Sequence, residues 1–554
     1  MPGAHFASPS TQIAFRGVSP SQLGQAAVVV RGSRSGYHSG KVVGDSDGRG
    51  ASFEPARRFT AGEGVTVTTT GLSIQGAGSA GFQFSVANPA GGIPYTPLPK
   101  PTRVRGDVYQ FRSRPDLPVA VVKITKPAPR STRGDIFIAP QNGPFLNGPM
   151  IVDAGGGLIW FKRIPARDTV TDFRPQTYLG KPVLTWWQGL LGAGVGVGEG
   201  IISDASYRVI HTVQAANGLH ADLHEFELTG HGSALMTAYY PVYVDASSVH
   251  GSKHQIVLDS VVQEIDVATG LVLFQWDSLD HVGLGESELP GPPKKRGAPF
   301  DYFHVNSIQE QTDGNLLVSA RNTWAAYKVD VRSGAVLWRL GGRHSSFRIN
   351  RGDSFAFQHD VRMRSASLAT IFDDGAGPPT IERQSRGLEL RLDFAHKTAA
   401  RVVQYKHNPA LLANFEGNVQ RLPGGDSFVG WGQQPYFTQF DARGRQIFDG
   451  RFVDQNSSYR VYRYIWNGKP TAPPAVAATG GRHATAYASW NGATNVAVWK
   501  VLGGPSPSRL RFLAAAGKRG FETGIPIRAQ RYVAVLAVDR FGHRVGASAT
   551  VRAR

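Results

Sequence analysis

Apolar and polar positions alternate along most of this chain in short bursts, with the period of two that marks strands rather than helices. One pattern recurs through the middle: an apolar burst, an Asp with Gly or other small or polar residues, then a second apolar burst. It reads MIVDAGGGLIWF at 150–161, IISDASYRVIHTV at 201–213 and QEIDVATGLVLFQW at 263–276. It returns as YKVDVRSGAVLWRL at 327–340, LRLDFAHKTAARVV at 390–403 and TQFDARGRQIFDG at 438–450. The aspartates, Asp153, Asp204, Asp266, Asp330, Asp393 and Asp441, stand 51, 62, 64, 63 and 48 residues apart. Asp followed by small or polar residues suits a tight reversal between two strands. A further hairpin lies between successive copies, as in HEFELTGHGSALMTAYY and HVNSIQEQTDGNLLVSARN. Two hairpins per repeat make four strands, and four strands at a period of roughly 40–65 residues mark a β-propeller blade. The chain therefore predicts an all-β fold with a six-bladed propeller over residues 105–467.

The flanks follow another pattern. Residues 1–90 hold short strands (AAVVV, GVTVTTT, GFQFSVA) between Gly and Ser turns, which predicts a small β-sandwich. Proline-rich GGIPYTPLPKPTRV, 91–104, reads as a linker, and GKPTAPPAVAATG, 468–480, as a second. Residues 481–554 alternate like a fibronectin or immunoglobulin-like sandwich. A length of 554 residues accommodates all three units, and 66 Gly with 35 Pro fit many turns.

The chain has no Cys, which removes disulfides, thiolate metal sites and cysteine nucleophiles from consideration. No apolar run approaches the ~20 residues of a membrane-spanning helix. The start, MPGAHFASPSTQIAF, shows neither the basic nor the apolar region of a signal peptide. The net charge is +19. Residues 481–554 hold 12 Lys and Arg against 2 Asp and Glu, so more than half of the excess lies in that tail. A tail so charged suits adhesion to an anionic cell surface, and no nucleic-acid partner is expected.

Inner strands of propeller blades face the central channel. In hairpin register, His224, Asn306, His359 and Asn418 fall 7 or 8 residues before the turn, at equivalent inner-strand positions. His304 stands two residues before Asn306, which predicts one shared face on a strand. His220 and Asp222 share a face with His224 by the same rule, and the three offer a metal-ligand set as a competing reading. Arg321 lies at the end of the return strand. Tyr302, Phe303 and Trp431 are candidates to hold an aromatic ring.

Residues 218–470 resemble the arylsulfotransferase family, in its actinobacterial and fungal branch. The resemblance is carried by LHEFELT (223–229), DSVVQEIDVATGLVLFQW (259–276), DYFHVNSI (301–308), SAR (319–321), WRLGG (338–342), FQHDVR (357–362), EGNVQRL (416–422), GWG (430–432) and SYRVYRYIW (458–466). It implies a six-bladed propeller that moves a sulfuryl group from one phenolic sulfate to another phenol, without cofactor or nucleotide sulfate donor. It implies His359 as the transiently sulfated nucleophile, with His304, Asn306, Arg321 and His224 as its catalytic partners. The family's first histidine of a pair is Leu223 here, so His220 is its candidate substitute, and Asn418 stands near the family's polar residue on a later blade. Export is implied as well. The alternative is a secreted propeller that binds aryl or glycan ligands without turnover.

Overall fold

The computed structural model describes the chain apart from residues 1, 26–27, 78–80, 95, 97–101, 128, 130–132, 144–145 and 193. Part of the expected linker 91–104, and Ala26 and Ala27 of the expected strand AAVVV, thus lie outside the described residues. The fold is all-β and propeller-like, with 47% strand and 3% helix.

The recurring aspartates explain its regularity. Each ends a strand and accepts N–H bonds from residues two to four places ahead, an Asx turn that reverses the chain. Asp153 Oδ1 takes Gly155 and Gly157, at 2.8 and 2.9 Å. Asp204 takes Ser206 and Arg208, Asp266 takes Ala268, and Asp330 takes Arg332 and Ser333. Asp393 takes Ala395 and His396, and Asp441 takes Arg443 and Arg445.

Antiparallel sheets follow one another along the middle of the chain. Thr169–Tyr178 begins a curled half-barrel of eight strands that continues to Val272–Asp277, its two halves joined at Gly198 and Ala221. Next come Val305–Glu310 to Val336–Gly341, then a sheet from His359–Ser365 to Thr398–Tyr405. The following sheet, Asn418–Arg421 to Gln446–Phe452, takes Val122–Lys126 as its outer strand. Finally Tyr462–Tyr464 pairs with Asp135–Ile138, joining a sheet that the chain began more than three hundred residues earlier. Apolar layers fill the space between neighbours; Leu317, Ala326 and Leu340 of one sheet pack on Ile371, Leu388 and Leu390 of the next.

Outside these sheets, Ile13–Arg16, Gly50–Pro55 and Gly40–Gly44 form one small sheet. A second, built on Val28–Gly32 and Gly64–Thr69, shares with it a core of Ile13, Phe15, Phe53, Val65 and Val67. At the other end, sheets built on Thr485–Ser489 and on Val498–Gly504 enclose Trp499 and Val535. The amino-terminal sheets are tied to the half-barrel by Ser46, whose N–H and hydroxyl donate to Asp266 at 2.7 and 2.8 Å.

Candidate active site

Four strands of the half-barrel and of the two sheets that follow it are irregular. Pairing register breaks between Thr171 and Arg174, Ala221 and Phe226, Val305 and Ser307, and His359 and Arg362. Asp172, His304 and Asp360 there have φ of 51°, 59° and 52°, left-handed values that such residues rarely adopt. Bulges of this kind re-aim side chains beside functional sites. Here they bring His224, His304 and His359 together from three segments. The ring centroids of His224 and His304 are 4.8 Å apart, and those of His224 and His359 are 6.5 Å apart.

Each imidazole is held through Nδ1 by an Asp side chain. His224 Nδ1 meets Asp222 Oδ2 at 2.5 Å, His359 Nδ1 meets Asp374 Oδ2 at 2.8 Å, and His304 Nδ1 meets Asp301 Oδ2. The backbone N–H of Glu416 approaches His359 Nε2 at 3.3 Å. An N–H can only donate, so Nε2 is the acceptor and the ring proton sits on Nδ1. Burial holds His359 well below the ordinary imidazole range, and Arg321, His224, His304 and Arg460 push it the same way. His359 is thus a buried neutral imidazole whose unprotonated Nε2 accepts the Glu416 N–H. Burial lowers His224 too, against the pull of Asp222. Burial opposes ionisation of Asp222, but His224 and the N–H groups of Gly196 and His224 keep its carboxyl below the ordinary range.

Arg321 closes one side. Its N–H donates to the His304 carbonyl at 2.9 Å, and its guanidinium lies 4.7 Å over the Phe357 ring. Nη2 donates to Asn414 O at 2.8 Å. Burial lowers its pKa, with Asp374 and Asp301 pulling the other way.

A charge network lies beside the histidines, fully buried at Arg460, Glu225 and Asp172. Arg460 Nη1 reaches Asp172 at 3.0 Å and Glu225 at 3.1 Å, and its Nη2 reaches Asn306 O at 2.9 Å. Arg362 pairs with Glu225, and with Glu227 and Asp360 at 2.8 Å each. Arg174 reaches Glu225 at 2.7 Å and Asp172 at 3.2 Å. Three guanidinium groups thus face four carboxylates. Burial raises Asp172 and Glu227, while the three arginines outweigh burial at Glu225 and hold it well below the ordinary range.

Other residues singled out from the chain sit elsewhere. Asn306 and His304 do not share a face: the left-handed His304 and the bulge after Val305 turn Asn306 onto the next sheet. Its Nδ2 donates to Gln358 O at 2.6 Å, in the peptide just before His359. Asn418 clasps the next segment likewise, exchanging two 2.9 Å bonds with the Val461 backbone. His220 is exposed whereas Asp222 and His224 are buried, and among the described residues no three His, Asp or Glu side chains stand together as one ligand set. Phe303 and Trp431 are fully buried in apolar clusters, with Trp431 Nε1 on Thr438 at 2.9 Å. The aromatic rings beside the histidines are Tyr239, Tyr459 and, under Arg321, Phe357.

The carboxylate partners Asp301 and Asp374, together with Arg460, carry no separate signal in the repeat pattern. The acid three residues before His304 in DYFH, the pair in IFDD and the alternating arginines of SYRVYRY are the marks that point to them.

Among solved structures, the chain is similar to a protein of unknown function from Bacteroides caccae, at 11% identity, covering 60% of this chain and 99% of that one with a TM-score of 0.37. A Lactobacillus plantarum protein gives 12% identity, 72% and 99% coverage and a TM-score of 0.33. Sqt1 of Saccharomyces cerevisiae gives 9%, 66%, 95% and 0.30. Comparison with curated proteins returned no match. A model of the family described as arylsulfotransferase (ASST) matches residues 174–453, about half the chain and every segment that contributes one of the three histidines. The chain belongs to the arylsulfotransferase family.

Proposed function

We propose that the protein transfers a sulfuryl group between phenols by double displacement through His359, without a nucleotide sulfate donor. The observation that carries this reading is the state of His359: neutral, held through Nδ1 by Asp374, with an unprotonated Nε2 that faces the Glu416 N–H, beside two further Asp-held imidazoles. In the first step Nε2 attacks sulfur, the N–S bond forms and the S–O bond to the aryl group breaks. The departing phenolate takes a proton from Nε2 of His304. The acceptor phenol then returns a proton to His304 as its oxygen attacks sulfur and the N–S bond breaks. Splitting one hard displacement into two easier ones is the advantage of a covalent intermediate. Negative charge spreads over the sulfuryl oxygens, and Arg321 and His224 are placed to bind it. Asn306 and Asn418 serve as positioning residues through the peptides they clasp.

Replacing Arg321 with Ala raises the barrier by about 2–4 kcal/mol, the range for a lost donor to developing negative charge. Single-turnover rates measure this, and an unchanged rate assigns Arg321 to fixing the Asn414 loop alone. The reading as a whole is tested by incubation with 4-nitrophenyl sulfate, with and without phenol. Phenol-dependent nitrophenol release supports transfer. Binding without release leaves a ligand-binding propeller.

The sheets fit six blades closed by Tyr462–Tyr464, flanked by two β-sandwiches; this organisation is part of the proposal. Among the described residues, no helix is long and apolar enough to cross a membrane. We infer an extracellular setting in which the carboxy-terminal unit holds anionic surfaces, since its Lys and Arg, Lys518 apart, are exposed. Exchanging Arg509, Arg511, Arg540 and Arg544 for Gln then lowers retention on anionic vesicles at low salt. Equal retention removes the idea.

A further inference from the structure

Nε2 of His359 has one lone pair, and the chain itself occupies it. The Glu416 N–H that it accepts belongs to a strap of three residues, Asn414, Phe415 and Glu416. The same strap takes Arg321, because the Asn414 carbonyl accepts Nη2 at 2.8 Å. A nitrogen that accepts an N–H has no second lone pair with which to attack. A sulfuryl group needs both places at once, with sulfur about 3–3.5 Å from Nε2 and an oxygen on the guanidinium. The cover is tight: His359 is 1% exposed, His224 3% and His304 8%.

The ends of the strap are anchored. Ala413 before it is fully buried, and its N–H and carbonyl bond the Ser385 hydroxyl at 2.8 and 3.3 Å. Gly417 after it donates to Tyr459 O at 3.0 Å, and Asn418 is clasped to Val461. Between these anchors the hold is polar and shallow. Asn414 is exposed, and Phe415 is 41% exposed, outside the apolar cluster that takes Ala413. Gln433 Oε1 accepts the N–H and the side-chain amide of Asn414 at 3.0 and 3.1 Å, and the Gln433 N–H donates to Phe415 O at 3.2 Å. Gln141 Nε2 reaches the Glu416 carboxyl oxygens at 3.3 and 3.4 Å. The φ of Glu416 is 71° and that of Gly417 is 103°, so a left-handed pair forms the hinge at the anchored end. Few apolar contacts and exposed hydrogen bonds mark a segment that opens locally while its surroundings stay folded.

Resting on the sulfuryl-transfer reading, we propose that residues 414–416 form an autoinhibitory strap that fills the sulfuryl position, so that His359 and Arg321 become available together only when it lifts. An aryl sulfate competes with the chain for these two groups, and its apparent affinity falls with the fraction of molecules that stand closed.

Diethyl pyrocarbonate, which acylates an unprotonated imidazole nitrogen, reads the strap in the full chain without any substrate. His359 of the parent is acylated slowly near pH 7. Gln433→Ala, which removes both side-chain bonds to Asn414, speeds this about tenfold. Gln433→Glu keeps an acceptor there and keeps the parent rate. His407, buried against Trp431 and Tyr436, stays unlabelled in all three proteins. Equal labelling of His359 in the parent and Q433A, or a matching rise at His407 that reports general loosening, overturns the proposal. The burst of nitrophenol from 4-nitrophenyl sulfate, faster in Q433A by the same factor, separates the two readings. No burst and no adduct in either protein, with faster labelling of Q433A, removes sulfuryl transfer and leaves the strap as the cover of His359. A burst of equal rate in both, with equal labelling, removes the strap and leaves transfer standing.

Discussion

Replacing His359 with alanine abolishes sulfuryl transfer, with a fall on the order of 10⁴-fold or more, the scale of losing a covalent nucleophile. The parent protein incubated with an aryl sulfate gains ~80 Da on a peptide containing His359, and the variant gains nothing. The variant stays folded, because His359 gives up only its bonds to Asp374 and to the Glu416 N–H. Release of 4-nitrophenol at the parent rate by His359→Ala would move the nucleophile to another residue. Between pH 6 and 8 the nucleophile itself imposes no acid limb, since burial keeps its imidazole neutral well below its ordinary range.

Arg460→Met costs about 3–5 kcal/mol of stability near neutral pH, because removing one partner leaves buried carboxylates uncompensated. Its side chain is completely buried and is shared by Asp172 and Glu225. Denaturant unfolding of parent and variant measures the difference. The sign with pH follows from Glu225, which the arginines hold well below its ordinary value of 4.5. A depressed carboxyl contributes stability above its unfolded pKa, and this is lost as pH falls toward the folded one. Without Arg460 that contribution shrinks, so the gap between the two proteins is widest above pH 5 and narrows in acid. A gap absent at neutral pH would mean that Arg174 and Arg362 alone balance the network.

The repeat was legible because its signal is local. An Asp, two to four residues and a returning strand are enough to write an Asx turn, and each such Asp does so in the structure. Two of the three histidines were legible for a related reason: His224 and His359 stand at the same place in their repeats, where Asn306 and Asn418 stand in others. What the spacing could not carry was orientation. Alternation predicts that His304 and Asn306 face the same way, but a left-handed residue and a register break intervene. Asn306 therefore secures the next sheet instead of joining the histidines. Partnership was hidden as well. Asp374 lies 15 residues after His359 and Arg460 lies 235 residues after Glu225, distances at which no local rule pairs a charge with its counterion.

The last-arriving guanidinium has a consequence for how the chain is made. Arg460 follows Asp172 by 288 residues. At the usual pace of ~5–20 residues per second, the ribosome needs roughly 15–60 s to deliver it. Through that interval Asp172 and Glu225 wait with Arg174, and later Arg362, as their only cations, and Asp135–Ile138 waits for its neighbour Tyr462–Tyr464. Native structure cannot be finished vectorially, strand by strand, from the amino terminus. A nascent chain truncated before this point keeps an open edge at Asp135–Ile138 and an excess of buried acid, so both are settled only once this segment has been made.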